Sequence, residues 1–135
     1  MLKQISIYTE NRKGVLHNIT GILRQNQINI DAMIVNDSAE FGTARFVVDR
    51  PDDAARALRE AGYIIKTTNV VGVVMTDEYG ALDTLLGHVL DANINLDYIY
   101  ATYDRITAAP VAILNCGQEV DMLENILTGL GYTLR

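Results

Sequence analysis

Tryptophan is absent from this 135-residue chain, and cysteine, histidine and proline are scarce, with one, two and two residues. A single Cys116 excludes an internal disulfide and a zinc cage built from cysteines. His17 and His88 stand in no His-x-x-x-His, Cys-x-x-Cys or carboxylate pattern with metal-ligand spacing. There is no Gly-x-Ser-x-Gly, no Gly-rich phosphate loop ending in Lys-Ser/Thr, and no Gly-x-Gly-x-x-Gly. Cationic residues are few, 11 Lys and Arg against 17 Asp and Glu, for a net charge of -6. That balance repels phosphate backbones and anionic lipid, which argues against nucleic-acid and membrane-surface partners. No stretch approaches the roughly 20 apolar residues needed to span a bilayer. Met1-Leu2-Lys3-Gln4-Ile5-Ser6 is not a charged leader before an apolar run. The expectation is a cytoplasmic protein that is not an enzyme and carries no cofactor or metal. What the chain does have is 49% hydrophobic residues, enough for an ordinary core.

Those residues recur in order. A shift of 66 positions lays Gly14-Val15-Leu16 on Gly80-Ala81-Leu82, Gly21 on Gly87, and Ile28-Asn29-Ile30-Asp31 on Ile94-Asn95-Leu96-Asp97. Towards the end of each copy the shift grows to 69, matching Leu58 with Leu127 and Gly62-Tyr63 with Gly131-Tyr132. A three-residue insertion near residues 104–109 explains the drift. The expected halves are 1–68 and 69–135, with Thr67-Thr68-Asn69 as the only candidate joint.

The hydrophobic period changes in the same order in both halves. Ile5 and Ile7 alternate with Gln4 and Ser6, the period of a strand. Gly14 opens a helical stripe of Val15, Leu16, Ile19, Ile22 and Leu23. Strands follow over 28–36 and 43–49, joined by the turn-rich Asn36-Asp37-Ser38-Ala39-Glu40. Pro51-Asp52-Asp53 starts a helix carrying Ala54, Ala55, Leu58 and Ala61, which Gly62 ends. A short strand over 63–66 closes the half. In the second copy the strands fall at 70–75, 94–103 and 109–114. Its helices carry Leu82, Leu85, Leu86, Val89 and Leu90, then Val120, Leu123, Ile126, Leu127 and Leu130, capped by Gly131. Each half therefore reads βαββαβ, and the fold class is α+β, two tandem ferredoxin-like sandwiches. A half of about 67 residues buries too little surface to be comfortable alone. Four helices cannot cover both sheet faces and every edge, so a homodimer is expected.

Two retained elements are candidate binding sites. The turns Thr9-Glu10-Asn11-Arg12-Lys13-Gly14 and Met75-Thr76-Asp77-Glu78-Tyr79-Gly80 each lead from a strand into a helix. Free N–H groups and the positive helix end there suit a carboxylate. A plain strand–helix turn with an Asx cap and a permissive glycine fits the same residues. Asn29 and Asp31, like Asn95 and Asp97, would share one face of a strand and could accept from an ammonium group, or simply face solvent. Gly21 and Gly87, in mid-helix, suggest close helix packing. Cys116, in Asn115-Cys116-Gly117 with no histidine nearby in sequence, reads as a structural thiol.

At these residues the chain resembles the ACT domains, in tandem and over nearly its whole length. The resemblance rests on the polar turn with Asn11 or Asp77, then Gly14-Val15-Leu16 or Gly80-Ala81-Leu82, then Asn-Ile-Asp or Asn-Leu-Asp. Lys13 and Tyr79 stand where the family often has proline before glycine, and Asn11 stands for its first aspartate. The resemblance implies a stand-alone regulatory module that binds a small amino acid at interfaces between paired domains, for allosteric regulation of a target. It places the ligand's carboxylate at the amides of Gly14, Val15 and Leu16, beside Arg12. The amino group would meet Asn11, Asn29 or Asp31, with Ile30 between them. The second copy offers Asp77, Gly80, Ala81, Leu82, Asn95 and Asp97. The competing reading is an interaction or scaffold module that kept the fold without the ligand. An RNA-binding sheet of the same order would need a basic face around Tyr98, Tyr100 and Tyr103, and the charge is acidic.

Overall fold

The computed structural model describes residues 1–10, 12–37 and 41–135. The chain forms two compact units, Lys3–Thr68 and Asn69–Arg135, with Met1–Leu2 joining the second. In chain order the elements are β1 (Leu2–Glu10), α1 (Val15–Gln25), β2 (Ile30–Asp37), β3 (Phe41–Val48), α2 (Pro51–Glu60) and β4 (Ile64–Val74). They continue with α3 (Ala81–Asp91), β5 (Tyr98–Tyr103), β6 (Pro110–Asn115), a 3-10 turn (Gly117–Glu119), α4 (Val120–Gly129) and β7 (Thr133–Leu134). The strand order is β2-β3-β1-β4 in the first unit and β5-β6-β4-β7 in the second. Antiparallel pairing sets Ile5 opposite Phe46 and Ile7 opposite Ala44 in one unit, Val71 opposite Leu114 and Val73 opposite Ala112 in the other. Each unit is a βαββαβ sandwich of the expected α+β class.

Period-2 and period-3.6 patterns meet in one core per unit. In the first, Ile5, Ile7, Ala44 and Phe46 of the sheet pack under Ile19 and Leu23 of α1 and Ala54 and Leu58 of α2. In the second, Val71, Val73, Ala112 and Leu114 pack under Leu85, Val89, Val120, Leu123 and Leu127. Each fully buried aliphatic side chain contributes about 1.5–3 kcal/mol of transfer free energy. The helical stripes are narrower than their sequence suggests. Leu16 is 39% exposed, Leu90 75% and Leu130 51%.

The four α-helices among the described residues stop the same way. The residue two beyond the cap returns its N–H into the last turn: Ile28 to the Leu23 carbonyl, Tyr63 to Leu58, Ile94 to Val89 and Tyr132 to Leu127. The residue before it takes a left-handed conformation, at Gln27, Gly62, Asn93 and Gly131. This is the Schellman stop, and its usual hydrophobic contact explains why Ile28 and Ile94 are buried. Their burial also corrects two strand starts. Ile28 and Ile94 belong to helix stops, so β2 begins at Ile30 and β5 only at Tyr98.

One unit gives way to the other between Thr68 and Asn69, within Thr67-Thr68-Asn69, and the joint is not a loop but the middle of the continuous β4. The run from Ile64 has no proline, and no glycine until Gly72, so nothing breaks the strand. Three residues separate β2 from β3 and six separate β5 from β6, which accounts for the change of offset; Ser38, Ala39 and Glu40 lie outside the described residues. The close packing expected at Gly21 and Gly87 is absent. A Cβ at either would have no atom within 4 Å, so these faces are open. Among the described residues no helix is long and apolar enough to cross a membrane.

Candidate functional site

The two strand–helix junctions have one geometry. Gly14 (φ 87, ψ -6) and Gly80 (φ 81, ψ 2) precede their helices with no side-chain cap. The Val15 N–H donates to the Arg12 carbonyl and the Ala81 N–H to the Glu78 carbonyl, both at 3.3 Å. Lys13 and Tyr79 are not among the residues of positive φ. A bonded four-residue turn with only its third residue left-handed is type II, the one that demands glycine there. The second turn therefore carries no Asx cap; Asn11, the corresponding candidate in the first, lies outside the described residues. Val15 and Ala81 spend their N–H groups on closing the turns, so the N–H groups without a helical carbonyl are those of Leu16 and His17 in α1 and Leu82 and Asp83 in α3, with the positive dipole end behind them.

Each junction opens onto a cavity. The first, about 220 Å³, is bounded by Thr9, Glu10, Arg12, Gly14, Val15, Leu16, His17, Val35, Gly42 and Ala44. The second, about 520 Å³, is bounded by Met75, Thr76, Glu78, Tyr79, Gly80, Ala81, Thr84 and residues 130–133. Arg12 lies in the first cavity, but its Nε is 2.9 Å from Glu10 Oε2 and both side chains are exposed. Its charge is therefore shared, whereas Lys13 makes no ion pair among the described residues. The second turn is anionic, with Asp77 and Glu78 exposed and Asp83 in the first turn of α3.

Of the expected ligand residues, the first cavity gathers Arg12, Gly14, Val15 and Leu16, and the second gathers Gly80 and Ala81. Asp77 and Leu82 flank the second turn without lining its cavity. Asn29 and Ile30 line a different groove, with Arg24 and Gln27 at the far end of α1. Asp31 sits where the β2–β3 register shifts, between Ile30 and Ala32, and one of its carboxylate oxygens is buried. Asn95 and Asp97 are exposed beyond the end of α3; the Asp97 N–H donates to the Asn115 carbonyl at 2.8 Å. Both helices have 11 residues, about 16 Å at 1.5 Å per residue. The amino nitrogen and carboxylate carbon of a free amino acid are only about 2.5 Å apart. One unit therefore cannot bring its turn and its Asn-x-Asp segment to the same ligand.

Sequence reasoning missed Gly42, Val35 and Ala44 as walls of the first cavity, and Thr84 and Tyr132 as walls of the second. Gly42 had a signal, since a glycine inside a strand marks close backbone approach. A Cβ there would lie 3.3 Å from the Asn36 carbonyl oxygen. The remaining candidates do no evident chemistry. Cys116 is buried; desolvation, then the charges of Glu119 and Asp97, push its thiol above the ordinary range. A neutral buried thiol is a poor nucleophile. His88 meets Tyr132 edge-on at 5.8 Å.

Two βαββαβ units, each opening a helix through a left-handed glycine turn beside a cavity, make a tandem pair of ferredoxin-like domains. The ACT domain pair family matches residues 1–111, and the chain belongs to that family. Among solved structures it is similar to protein BT0572 from Bacteroides thetaiotaomicron, with 28% identity, a TM-score of 0.90, and coverage of 99% of this chain and 91% of that one. It shares its fold with the ligand-free regulatory subunit of aspartate kinase from Thermus thermophilus, at 12% identity, TM-score 0.70, and coverage of 96% and 93%. E. coli aspartokinase III, in complex with lysine and aspartate, matches at 13% identity and TM-score 0.50, over 96% of this chain and 31% of that one. No curated protein matches the sequence.

Proposed function

We propose that this ACT pair is a cytoplasmic allosteric regulator that binds a small amino acid, with the carboxylate on the helix start after Gly14. The observation that carries the reading is the repeated junction: in each unit a left-handed glycine opens a helix onto a cavity. Aspartokinase III, a fold relative, was solved with amino acids bound, which supports the ligand class. Asn29 and Asp31 stand a helix length from Gly14, so the ammonium partner comes from a second copy of the chain, and the working form is a homodimer. The second turn offers Asp77, Gly80, Ala81, Leu82, Asn95 and Asp97 in the same roles. Asp77 and Glu78 oppose a carboxylate there, whereas Lys13 favours one at the first turn. The first site is accordingly the tighter.

Thermal shift and calorimetry against a panel of free amino acids test the reading. A ligand at 100 times its Kd stabilises the folded chain by about 2.7 kcal/mol. Asp31→Asn weakens that binding about ten- to hundredfold, because a hydrogen bond to a charged group contributes roughly 1.5–3 kcal/mol. Glu78→Gln strengthens binding at the second site. If no amino acid shifts the melting curve, the scaffold reading replaces this one.

A further inference from the structure

Outside the two junctions, a cluster of polar groups surrounds the β5–β6 loop. Asp104 is only 8% exposed. Its carboxylate accepts from Arg135 Nε at 2.8 Å and Nη2 at 2.9 Å, from the Thr107 N–H at 3.0 Å and from the Thr107 hydroxyl at 2.7 Å. The loop closes on itself, the Asp104 N–H donating to the Ala109 carbonyl and the Ala108 N–H to the Asp104 carbonyl, both at 2.8 Å. Its six residues include the insertion that distinguishes the second copy from the first. Under the offset of 69, Arg135 stands where the first unit has the exposed Lys66, which has no planar fork to match a carboxylate.

The partner, Arg135, follows the shortest strand among the described residues. β7 has two residues, Thr133 opposite Val74 and Leu134 opposite Val73, extended by one bond from the Arg135 N–H to the Gly72 carbonyl at 2.9 Å. So short a pairing holds a segment poorly by itself. A two-pronged, charge-assisted pair to a buried carboxylate holds it far better. The segment just before it, residues 130–133, is one wall of the second cavity, facing Thr76, Gly80, Ala81 and Thr84.

We propose that Asp104 and Arg135 are positioning residues for the second cavity: their ion pair ties the inserted loop to β7 and so sets the wall formed by residues 130–133. The wall-setting role stands on the free protein alone; only its consequence for an amino acid rests on the proposed function. The first cavity has no equivalent strap among the described residues, so loosening the pair acts on one cavity and not the other.

Backbone amide exchange on the ligand-free chain tests this, with Asp104→Asn and Arg135→Gln each compared with the parent. The expected result is at least about tenfold faster exchange at residues 131–134, with Leu123 and Ile113 unchanged, and a shifted Tyr132 ring signal in carbon-labelled tyrosine spectra. Arg135→Lys, which keeps the charge and loses the fork, recovers part of the protection. Unchanged exchange at 131–134 in both variants overturns the proposal. So does equal acceleration across the whole second unit, which is general destabilisation. Titrating the same amino-acid panel separates the two claims. Weaker binding at the second cavity alone supports both. Faster wall exchange with no amino acid bound by the parent supports the strap and removes the proposed function.

Discussion

Gly14 and Gly80, 66 positions apart, hold the same left-handed backbone, φ 87 with ψ -6 and φ 81 with ψ 2. The space beside each is open, since a Cβ at either would meet nothing within 4 Å. What glycine supplies at these turns is conformation and not clearance.

Gly14→Ala and Gly80→Ala should therefore each destabilise the chain by about 1–3 kcal/mol, the cost of holding an L-residue in that region. Urea unfolding measures it. A loss below about 0.5 kcal/mol would show that the turn can change type without penalty.

The residue before each glycine carries the opposite opportunity. Tyr79 is fully exposed at the second position of a type II turn, where proline is favoured. Its N–H makes none of the turn's backbone bonds. Tyr79→Pro should stabilise the chain by about 0.4–1 kcal/mol by restricting the unfolded state. A lower melting temperature would mean that Glu78 cannot adopt the extended conformation that a following proline requires.

Gln27 ends α1 at φ 56 in the position that Gly62 and Gly131 fill for α2 and α4. Gln27→Gly should raise stability by about 0.5–1 kcal/mol, since glycine reaches that region without a Cβ penalty. Asn93→Gly should gain less, asparagine being the better tolerated of the two. Chemical denaturation of the two variants ranks them.

Acid should act through Asp104. Arg135, then Thr107, hold its carboxyl well below the usual carboxylate range in the folded chain. A depressed folded-state pKa contributes stability that is complete above the unfolded value near 3.9 and is lost as pH falls through the folded one. Asp104→Asn should flatten the dependence of stability on pH below about 4 and leave its slope near neutrality unchanged. Parallel acid titrations followed by circular dichroism would show the curves converging at low pH; parallel curves would mean Asp104 keeps an ordinary pKa.

The sequence by itself determined the two βαββαβ patterns, the glycine turns and the glycine stops after α2 and α4, because each is a local matter of period and backbone freedom. It carried the longer β5–β6 loop too, as a change of offset. Tertiary structure alone decided that Asn29 and Asp31 lie a helix length from Gly14, since the repeat aligns them in sequence without regard to which end of α1 they occupy. It alone decided that Ile28 and Ile94 cap helices instead of starting strands, because burial against the last helical turn competes with strand propensity and wins. The Asp104–Arg135 pair, 31 residues apart in the chain, has no sequence signature. Its geometry exists only once β4 has brought β7 and the inserted loop to the same side of the second unit.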